Sequence, residues 1–331
     1  MKIAVDAMGG DRAPRVVVEG AAWASDELDC QIILVGKERN IKKFLDKTDY
    51  NKDRIAIKNA IETIKMDDPA AISVRRKKNS SIAVGVEMLK KKEADLFISA
   101  GNTGAVVCAA ALKLRTLAGI ERPGIGVVFP TLTKPSMVID VGANIDATPL
   151  HLLHYGVMGL AYFKYVLGNE NPSVGLLNIG HEESKGTGLI KEAHHLFERS
   201  GMNFVGNVEA RDVYVGKANV VVCEGFVGNI LLKVTESFAE ASSEFLKREL
   251  TRRLLPKIGA ILSLPAYRAI RKKIDYSEYG GAPLLGVDGR IIIAHGASSA
   301  KAIKNAIKAG TEYVTHKLNK HIMEDLGKIT I

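Results

Sequence analysis

The sequence predicts an α/β protein in which a mostly parallel, mixed sheet is covered by helices on both faces. Two observations lead to this prediction. Through the first half of the chain, short apolar runs alternate with helix-length segments, which is the rhythm of strands and crossover helices in a parallel sheet. From Phe226 onward a long amphipathic segment takes over, and it predicts a helical projection from the second half.

The predicted strands are short runs rich in Ile, Val or Leu, and Gly, Asp or Asn bounds most of them. In chain order they are KIAVDA, QIILVG, RIAIKNA, DLFISAG, GIGVVFP, SMVIDVG, SVGLLNIG, NFVGNV, NVVVCEG and RIIIAHG. Only a short loop separates GIGVVFP from SMVIDVG. This closeness favours an antiparallel pair inside an otherwise parallel sheet.

The helix-length segments place apolar residues at helical spacing. Two of them, in the second half, are expected to form a projecting helical hairpin over residues 226–275. Because the chain has no internal repeat and no clear linker, residues 1–331 are predicted to form a single α/β unit that carries this hairpin. The predicted helices cover residues 14–26, 80–92, 149–167, 188–200, 226–250, 267–274 and 298–324.

The composition is that of a globular protein whose core needs neither disulfides nor a structural metal. Hydrophobic residues make up 47% of the 331 residues and charged residues 25%. Cys30, Cys108 and Cys223 are far apart, which excludes a CxxC metal clip and favours a reducing, cytoplasmic compartment. The N-terminus lacks a secretory pattern and no apolar run reaches about 18 residues, so no membrane-spanning segment is expected.

The chain is basic, with a formal net charge of +9 and an isoelectric point near 9.3. Such a balance points to an acidic partner, which could be nucleic acid, anionic lipid or an acidic protein. Between Lys247 and Lys273, nine Lys or Arg residues stand against a single acid, Glu249. A second, smaller cluster consists of Arg75, Arg76, Lys77 and Lys78.

Glycine-rich loops with polar neighbours follow six of the predicted strands. They are DAMGGD (6–11), SAGNTGA (99–105), DVGAN (140–144), NIGHEESKG (178–186), EGFVGN (224–229) and AHGAS (294–298). Ligands of open parallel sheets bind beyond the carboxyl ends of the strands. Gly lets backbone amides approach an anion closely, and a helix N-terminus favours negative charge. One such loop is an ordinary turn, but six together favour a phosphate-binding cleft where they converge.

Several familiar catalytic patterns are missing from the sequence. There is no GxxxxGK[ST] loop, no GxGxxG with an acid about 20 residues later, no GxSxG and no HExxH. His151, His154, His194 and His195 fall on predicted helices, where surface positions are expected. We therefore expect no cofactor and no metal, and an enzyme that binds and orients two substrates without a covalent intermediate.

Seven motifs carry a resemblance to a known family: DAMGGDRAP, SAGNTGA, DVGAN, EESKG, NVEARD, GFVGN and YGGAPLLG. Their order and identity resemble the acyl-acyl carrier protein:phosphate acyltransferase family over essentially the whole chain. The resemblance implies a three-layer α/β/α fold like that of isocitrate and isopropylmalate dehydrogenases, and a homodimer. It also implies that orthophosphate attacks an acyl thioester, giving an acyl phosphate for a membrane glycerol-3-phosphate acyltransferase in phospholipid synthesis.

This reaction requires a cation and neutral hydrogen-bond donors around phosphate and the thioester oxygen. Lys185 and Asn229 are the expected catalytic residues. Asp6, Asp11 and Asp140 are expected to orient neighbours, because a bare carboxylate would repel phosphate. The expected substrate-binding and phosphate-binding residues are Gly9, Gly10, Asp11, Asn102, Thr103, Gly104, Asp140, Asn144 and Gly228.

Three positions differ from the commonest pattern of the family: Glu224 replaces Asp, His181 replaces Thr or Glu, and Ala297 replaces Ser. Three other functions stay open at this point. A dehydrogenase of the isocitrate type would need a metal-binding carboxylate cluster. A phosphate acetyl- or butyryltransferase would use coenzyme A. In a membrane-surface scaffold, the glycine-rich loops would have no function.

The resemblance implies acyl carrier protein, which is acidic, as the partner, and no nucleic acid. The expected docking residues are Arg75, Arg76, Lys77, Lys78, Arg271, Lys272 and Lys273. A transient contact with an anionic membrane surface is expected at an apolar segment, either dipping into lipid or buried against a second subunit. It contains Leu254, Leu255, Ile258, Ile261, Leu262 and Leu264. The predicted location is therefore cytoplasmic, at the inner face of the cell membrane.

Overall fold

The computed structural model describes residues 1–274 and 280–329. The strands within these residues are β1 (Lys2–Asp6), β2 (Gln31–Gly36), β3 (Ile55–Asn59), β4 (Leu96–Ser99), β5 (Gly124–Phe129), β6 (Ser136–Ile139), β7 (Val174–Leu177), β8 (Phe204–Val208), β9 (Val220–Val222), β10 (Ala282–Leu285) and β11 (Ile291–Ile293). The helices are α1 (Arg15–Glu27), α2 (Glu38–Leu45), α3 (Ala70–Arg76), α4 (Ser81–Lys90), α5 (Thr103–Lys113), α6 (Pro149–Tyr165), α7 (Gly188–Arg199), α8 (Ala210–Val215), α9 (Gly225–Arg252), α10 (Leu254–Leu262), α11 (Leu264–Ile274), α12 (Ala300–Thr315) and α13 (Leu318–Leu326). None of these helices is long and apolar enough to cross a membrane.

All of these strands belong to one mixed sheet in the order β3-β2-β1-β4-β11-β10-β5-β6-β9-β7-β8. Strands β3, β2, β1, β4 and β11 run parallel, and strands β6, β9, β7 and β8 form a second parallel block. Three successive antiparallel pairings, β11–β10, β10–β5 and β5–β6, separate the blocks. The two blocks therefore run in opposite directions.

The glycine-rich loops follow the carboxyl ends of strands from both blocks, so they leave the sheet at two different edges. We call the edge beyond β1, β4 and β11 the first edge. The edge beyond β6, β9 and β7 is the second edge.

The predicted fold class is confirmed: the sheet is mostly parallel and helices cover both of its faces. Each of the ten predicted strands is present, and β5 and β6 form the expected antiparallel pair. Strand β10 was not predicted, because its four residues include Pro283 and lie between the left-handed Gly281 and Gly286. Tyr279, the first residue of the motif YGGAPLLG, lies outside the described residues.

Two apolar cores lie on the two faces of the sheet. On β1, Ile3 and Val5 pack into one core while Ala4 packs into the other, as the two-residue repeat of a strand requires. Helices α1, α6, α7, α12 and α13 contribute to the first core, and α3, α4, α5 and α8 contribute to the second. Burial on both faces explains why the strands read as continuous apolar runs in the sequence.

Helix α9 has 28 residues, of which only Gly225 and Gly228 are buried. Its apolar side chains, including Val234 and Phe238, are mostly exposed. The segment expected to connect the hairpin forms a further helix, α10, instead of a loop. Pro256 lies in the first turn of α10, where a missing N–H removes no intrahelical bond.

The C-terminal helix predicted over residues 298–324 is in fact two helices, α12 and α13. The break falls at Lys317, which has a left-handed φ of 50°. No Gly or Pro marks this position, so the sequence pattern reads as a continuous helix.

Candidate active site

At the first edge, the buried carboxylate of Asp6 ties the end of β1 to the end of β4. It accepts a 2.7 Å hydrogen bond from the Ser99 hydroxyl and a 3.0 Å bond from the Met8 amide. The Ser99 oxygen in turn accepts a bond from the Gly101 amide at 3.0 Å. Burial raises the pKa of Asp6, and these hydrogen bonds oppose the rise. Asp6 is therefore placed to orient the two loops.

Glycines allow the loops of the first edge to touch. A Cβ atom on Gly9 would lie 2.6 Å from the Gly101 nitrogen, which leaves no room for a side chain. Gly10 has a φ of 100°, and a Cβ there would lie 2.9 Å from the Gly296 oxygen. The same Gly296 oxygen accepts a bond from the Asp11 amide at 2.9 Å. The loops after β1, β4 and β11 thus pack backbone to backbone.

Asn102 has a structural role at the first edge, because both ends of its side-chain amide are hydrogen-bonded within the protein. Its Oδ1 caps α5 by accepting a bond from the Ala105 amide at 2.9 Å. Its Nδ2 lies 3.0–3.2 Å from three carbonyl oxygens of segment 65–68. Thr103 and Gly104 begin α5, and the Thr103 side chain is exposed. The N-terminal amides of a helix, with an exposed hydroxyl beside them, are suited to an anion.

At the second edge, Asp140 shapes the loop after β6. Its carboxylate is fully buried and accepts 2.7–3.0 Å bonds from the amides of Ile125, Gly142, Ala143 and Asn144. Burial raises the pKa of Asp140, and the four amide donors oppose that rise. With its oxygens engaged by backbone, Asp140 positions the loop.

The start of α9 packs against this loop so closely that only glycine fits. The Gly225 amide donates a 2.8 Å bond to the Asn144 carbonyl oxygen. A Cβ on Gly225 would lie 2.4 Å from that same oxygen, and one on Gly228 only 1.9 Å from the Asp140 carbonyl oxygen. Gly228 is therefore a packing residue that lets the helix approach the loop.

Asn229 follows directly and lies over the loop after β6. A Cβ on Gly142 would be 3.7 Å from the Asn229 Cβ and 3.8 Å from its Oδ1. Glu224 caps the same helix, because its carboxylate accepts bonds from the Phe226 amide at 2.6 Å and the Val227 amide at 3.2 Å. Glu thus serves here as an N-cap in the place where Asp is common in the family.

Lys185 lies in the exposed loop after β7, at the same edge. Its amide donates to the Glu182 carbonyl at 3.1 Å, and its carbonyl accepts a 3.2 Å bond from Asn178 Nδ2. Gly186 has a φ of 86°, which closes the loop behind it. Among the residues that the structure describes, the Lys185 ammonium has no carboxylate partner. Hydrogen bonds of the Lys185 backbone hold the loop, while its ammonium group is not engaged by a carboxylate of the described residues.

A partly buried contact that the sequence analysis missed anchors this loop. His181 Nε2 lies 2.6 Å from Asp212 Oδ2 on α8. Partial burial raises the pKa of Asp212, but the hydrogen bond with His181, the Glu209 amide and the Lys217 ammonium outweigh it and lower the pKa to about 2. The sequence signal was weak, since His181 and Asp212 are 31 residues apart.

The candidate residues thus form two groups. Lys185, Asn229 and Asp140 follow β7, β9 and β6, which are neighbours in the sheet and so about 5 Å apart from strand to strand. The first-edge residues follow β1 and β4. Helix α9 connects the groups, since Gly225 lies at the second edge while Glu236 lies 3.7 Å from His295 at the first. Eleven residues of helix span about 17 Å.

The basic cluster on α3 is mostly exposed. Arg75, Arg76 and Lys78 face solvent, whereas Lys77 is paired with Asp68. The apolar segment of α10 and α11 is exposed as well, with Leu255 at 81% and Ile261 at 65%, and Ile258, Leu262 and Leu264 also exposed. The side chains of Leu254, Arg271, Lys272 and Lys273 lie outside the described part of the structure.

The expectation of surface histidines on the helices was wrong for three of four. His151, His154 and His194 are buried, and only His195 is exposed. His151 completes a capping box with Thr148 at the start of α6. Burial lowers the pKa of His154. A histidine in a helix tolerates burial when its apolar ring surface faces the core.

Comparisons with solved structures agree with this architecture. A phosphotransacetylase from Streptococcus pyogenes superposes with a TM-score of 0.65 over 95% of this chain and 94% of that one, at 18% identity. A 4-hydroxythreonine-4-phosphate dehydrogenase from Klebsiella pneumoniae superposes with a TM-score of 0.53, at 12% identity, over 95% and 99% of the two chains. By fold, the chain therefore falls in the structural class of the phosphotransacetylases.

Sequence comparisons are more specific. A family model described as "Fatty acid synthesis protein" matches residues 1–321. The protein named phosphate acyltransferase in Dictyoglomus turgidum is 47% identical over 100% of this chain and 99% of its own length. The one in Desulfitobacterium hafniense is 48% identical over 100% and 99%. The chain belongs to this phosphate acyltransferase family and is an acyltransferase.

Proposed function

We propose that the chain transfers a long acyl group from acyl carrier protein to orthophosphate, releasing acyl phosphate and free carrier protein. The observation that carries the proposal is the similarity over the whole chain to proteins named phosphate acyltransferase. The family description, which refers to fatty acid synthesis, supports a fatty acyl group over an acetyl group. We further propose that the acyl phosphate feeds phosphatidic acid and phospholipid synthesis.

In this reaction a phosphate oxygen attacks the thioester carbonyl carbon, and a tetrahedral oxyanion forms. The C–S bond then breaks, and the carrier leaves as a thiolate that takes up a proton. The protein accelerates these steps by holding phosphate next to the thioester and by stabilising the oxyanion. Neither task requires a cofactor or a covalent intermediate on the protein.

Lys185 and Asn229 are proposed as the catalytic residues at the second edge. The Lys185 ammonium is exposed and has no carboxylate partner in the described part of the chain, so its charge is available to phosphate or to the oxyanion. Asn229 lies beside Gly142 and supplies a neutral donor. Asp140, Asn144 and Gly228 are proposed to position these two residues through the contacts of the β6 loop with α9.

At the first edge, Thr103 and Gly104 are proposed to bind anionic oxygens of a substrate, because they open α5 with an exposed hydroxyl. The close packing of Gly9 and Gly10 keeps the neighbouring loop in place, together with Asp11. Asn102 is proposed as a positioning residue, since its amide group is already bonded to segment 65–68.

Docking of the acidic carrier is proposed on the exposed basic side chains at the end of α3 and just after it, namely Arg75, Arg76 and Lys78. The start of α3 lies beside the start of α5, as a Cβ on Gly104 would lie 3.0 Å from the Ala70 Cβ. Arg75 and Arg76 follow about 8–9 Å farther along α3. Arg271, Lys272 and Lys273 stay an alternative docking cluster on α11, and Lys77 contributes less because it is paired with Asp68.

Residues 1–331 are proposed to act as a single catalytic unit, with residues 226–275 as its projection. The exposed apolar residues of α10 and α11 are proposed to touch an anionic membrane surface at the inner face of the cell membrane, near the glycerol-3-phosphate acyltransferase that takes the product. The chain is also proposed to form a homodimer, which the exposed apolar side chains of α9, such as Ile230 and Phe238, support.

The decisive experiment is an assay of the purified chain with acyl carrier protein thioester and phosphate, run in parallel with acyl-coenzyme A. Phosphate-dependent release of free carrier protein and acyl phosphate is the expected result. Faster turnover of acetyl- or butyryl-coenzyme A would instead support an acetyl- or butyryltransferase, which shares this fold. No acyl phosphate with either donor would refute the proposal.

A further inference from the structure

Helix α7 carries three potential metal ligands within one and a half turns, outside the candidate active site. They are His194, His195 and Glu198, and one ligand atom from each lies within 4.8 Å of the other two. Glu198 Oε2 is 3.7 Å from His194 Nδ1 and 3.5 Å from His195 Nδ1. A tetrahedral ion with bonds of about 2.1 Å holds its ligand atoms about 3.4 Å apart. The present spacing is close to that geometry.

His194 gives the cluster a buried and unsatisfied ligand atom. The residue is only 5% exposed, and its Nδ1 has no hydrogen-bond partner among the described residues. The ring is held edge-on against Phe204, with centroids 5.0 Å apart. A buried ring nitrogen without a partner costs free energy, which a bound cation would recover. The other two ligands are accessible, so an ion can reach the site.

The cluster also borders a cavity of about 550 Å³, whose lining includes His194, Glu198 and Asn207. Asn207 is 3% exposed, and its Oδ1 is a second buried atom without a hydrogen-bond partner in the described part of the chain. A cavity of this size leaves room for water to complete the coordination of an ion. Two orphaned polar atoms in one lining point to an occupant that supplies positive charge or donors.

We propose that His194, His195 and Glu198 bind a divalent transition-metal ion of the class of Zn²⁺, Co²⁺ and Ni²⁺. Two imidazoles and one carboxylate are ligands that suit these ions, with water in the remaining position. The expectation from sequence that the chain holds no metal is thereby revised at this surface. The site lies on the helix that follows the Lys185 loop, and it requires nothing of the acyl transfer reaction.

The test is a titration of the tag-free full-length chain with Co²⁺, followed by visible absorption, and with Zn²⁺, followed by calorimetry. The wild-type chain is expected to bind one ion with the absorption bands of four-coordinate Co²⁺. His195→Ala and Glu198→Gln are each expected to weaken binding by about ten-fold or more. Both side chains are exposed enough for the fold to remain intact, which near-UV circular dichroism checks.

His316→Ala is the matched control. His316, the C-cap of α12, and Glu312 form an exposed pair 3.4 Å apart, and no third ligand joins them among the residues that the structure describes. Its loss is expected to leave the affinity and the Co²⁺ spectrum unchanged. Absence of saturable one-to-one binding to the wild-type chain would overturn the proposal. So would a His195→Ala variant that binds as tightly as wild type, or a control that loses as much affinity as the His195 variant.

Discussion

Lys185 carries a positive charge that no carboxylate in the described part of the chain neutralises, in a loop whose backbone is fixed by Asn178. Lys185→Ala is therefore expected to lower the rate of acyl phosphate formation by a factor of about 10² or more, as the loss of an oxyanion donor does. The thermal midpoint should not change, because the side chain is exposed.

Lys191→Ala is the control for this substitution, since Lys191 is exposed on the adjacent helix α7 and lies outside the Lys185 loop. Its turnover should match wild type. Near wild-type turnover of Lys185→Ala at saturating phosphate would show that the charge does not act in the reaction.

The roles of individual residues were harder to predict from the sequence than the loops and helices in which they lie. Asn102 stands in a loop that looks suited to phosphate, yet its amide binds carbonyl oxygens 34–37 residues away. His194 has the spacing of a surface helix residue, yet Phe204 covers its ring. Both outcomes depend on contacts between segments distant in sequence, which no local pattern reveals. The loop glycines were predicted to let backbone approach an anion, and in the structure Gly9, Gly10 and Gly228 let backbone approach backbone.

A contact between elements, from His181 to Asp212 on α8, helps to hold the loop that carries Lys185. The pKa of Asp212 is about 2 in the folded chain, below its ordinary value of 3.8. Between these values the unfolded chain binds more protons, so stability rises with pH and is complete above about pH 4. Asp212→Asn is therefore expected to lower the free energy of unfolding at pH 7 by about 1–2 kcal/mol.

Urea denaturation at several pH values measures this effect. The difference between wild type and Asp212→Asn should shrink as the pH falls below about 4, toward the folded pKa. Asp26→Asn, at an exposed position on α1, is the control and should follow the wild-type curve throughout. A constant difference at every pH would show that the carboxylate charge is not the source of the stability.

The apolar segment between the two predicted helices of the hairpin is itself helical. Pro256 and Pro265 both fall in first turns of helices, where proline is tolerated, so neither breaks a helix. Its apolar residues are exposed on helices. An amphipathic helix that lies on a lipid surface presents apolar side chains in the same way.

Leu255→Glu combined with Ile261→Glu is expected to abolish sedimentation with anionic liposomes while acyl transfer in solution persists. Each apolar side chain contributes about 1.5–3 kcal/mol when fully buried, and two charges reverse that gain. Leu132→Glu with Ile61→Glu, at exposed apolar positions elsewhere, is the matched control. Unchanged sedimentation of the first variant would place the segment away from lipid, and dissociation to monomers on gel filtration would assign it to a subunit interface.

For the whole molecule, sequence patterns predicted the layers and the strands but not the direction of the second block. Strand β10 is antiparallel to both β11 and β5, so these two strands run in the same direction. The second block is reversed at the antiparallel pair β5–β6. The β10–β5 pairing joins segments more than 150 residues apart, as Leu284 pairs with Ile125. Because direction decides which loops share an edge, the candidate residues form two groups, which α9 connects.

Long-range charge is the last property of the whole molecule that can be tested. With a net charge of +9 and exposed Arg75 and Arg76 beside the first edge, the chain should attract an acidic carrier over about a Debye length, which is about 10 Å at 0.1 M salt. The KM for the carrier thioester should therefore rise with salt.

Arg75→Glu with Arg76→Glu should raise the KM for the carrier thioester by about ten-fold at low salt, with kcat little changed. Lys47→Glu with Lys52→Glu alters the net charge equally at a distant surface, so it should have a much smaller effect. If neither the α3 variant nor charge reversal of Arg271, Lys272 and Lys273 changes KM, the carrier is not guided by these clusters.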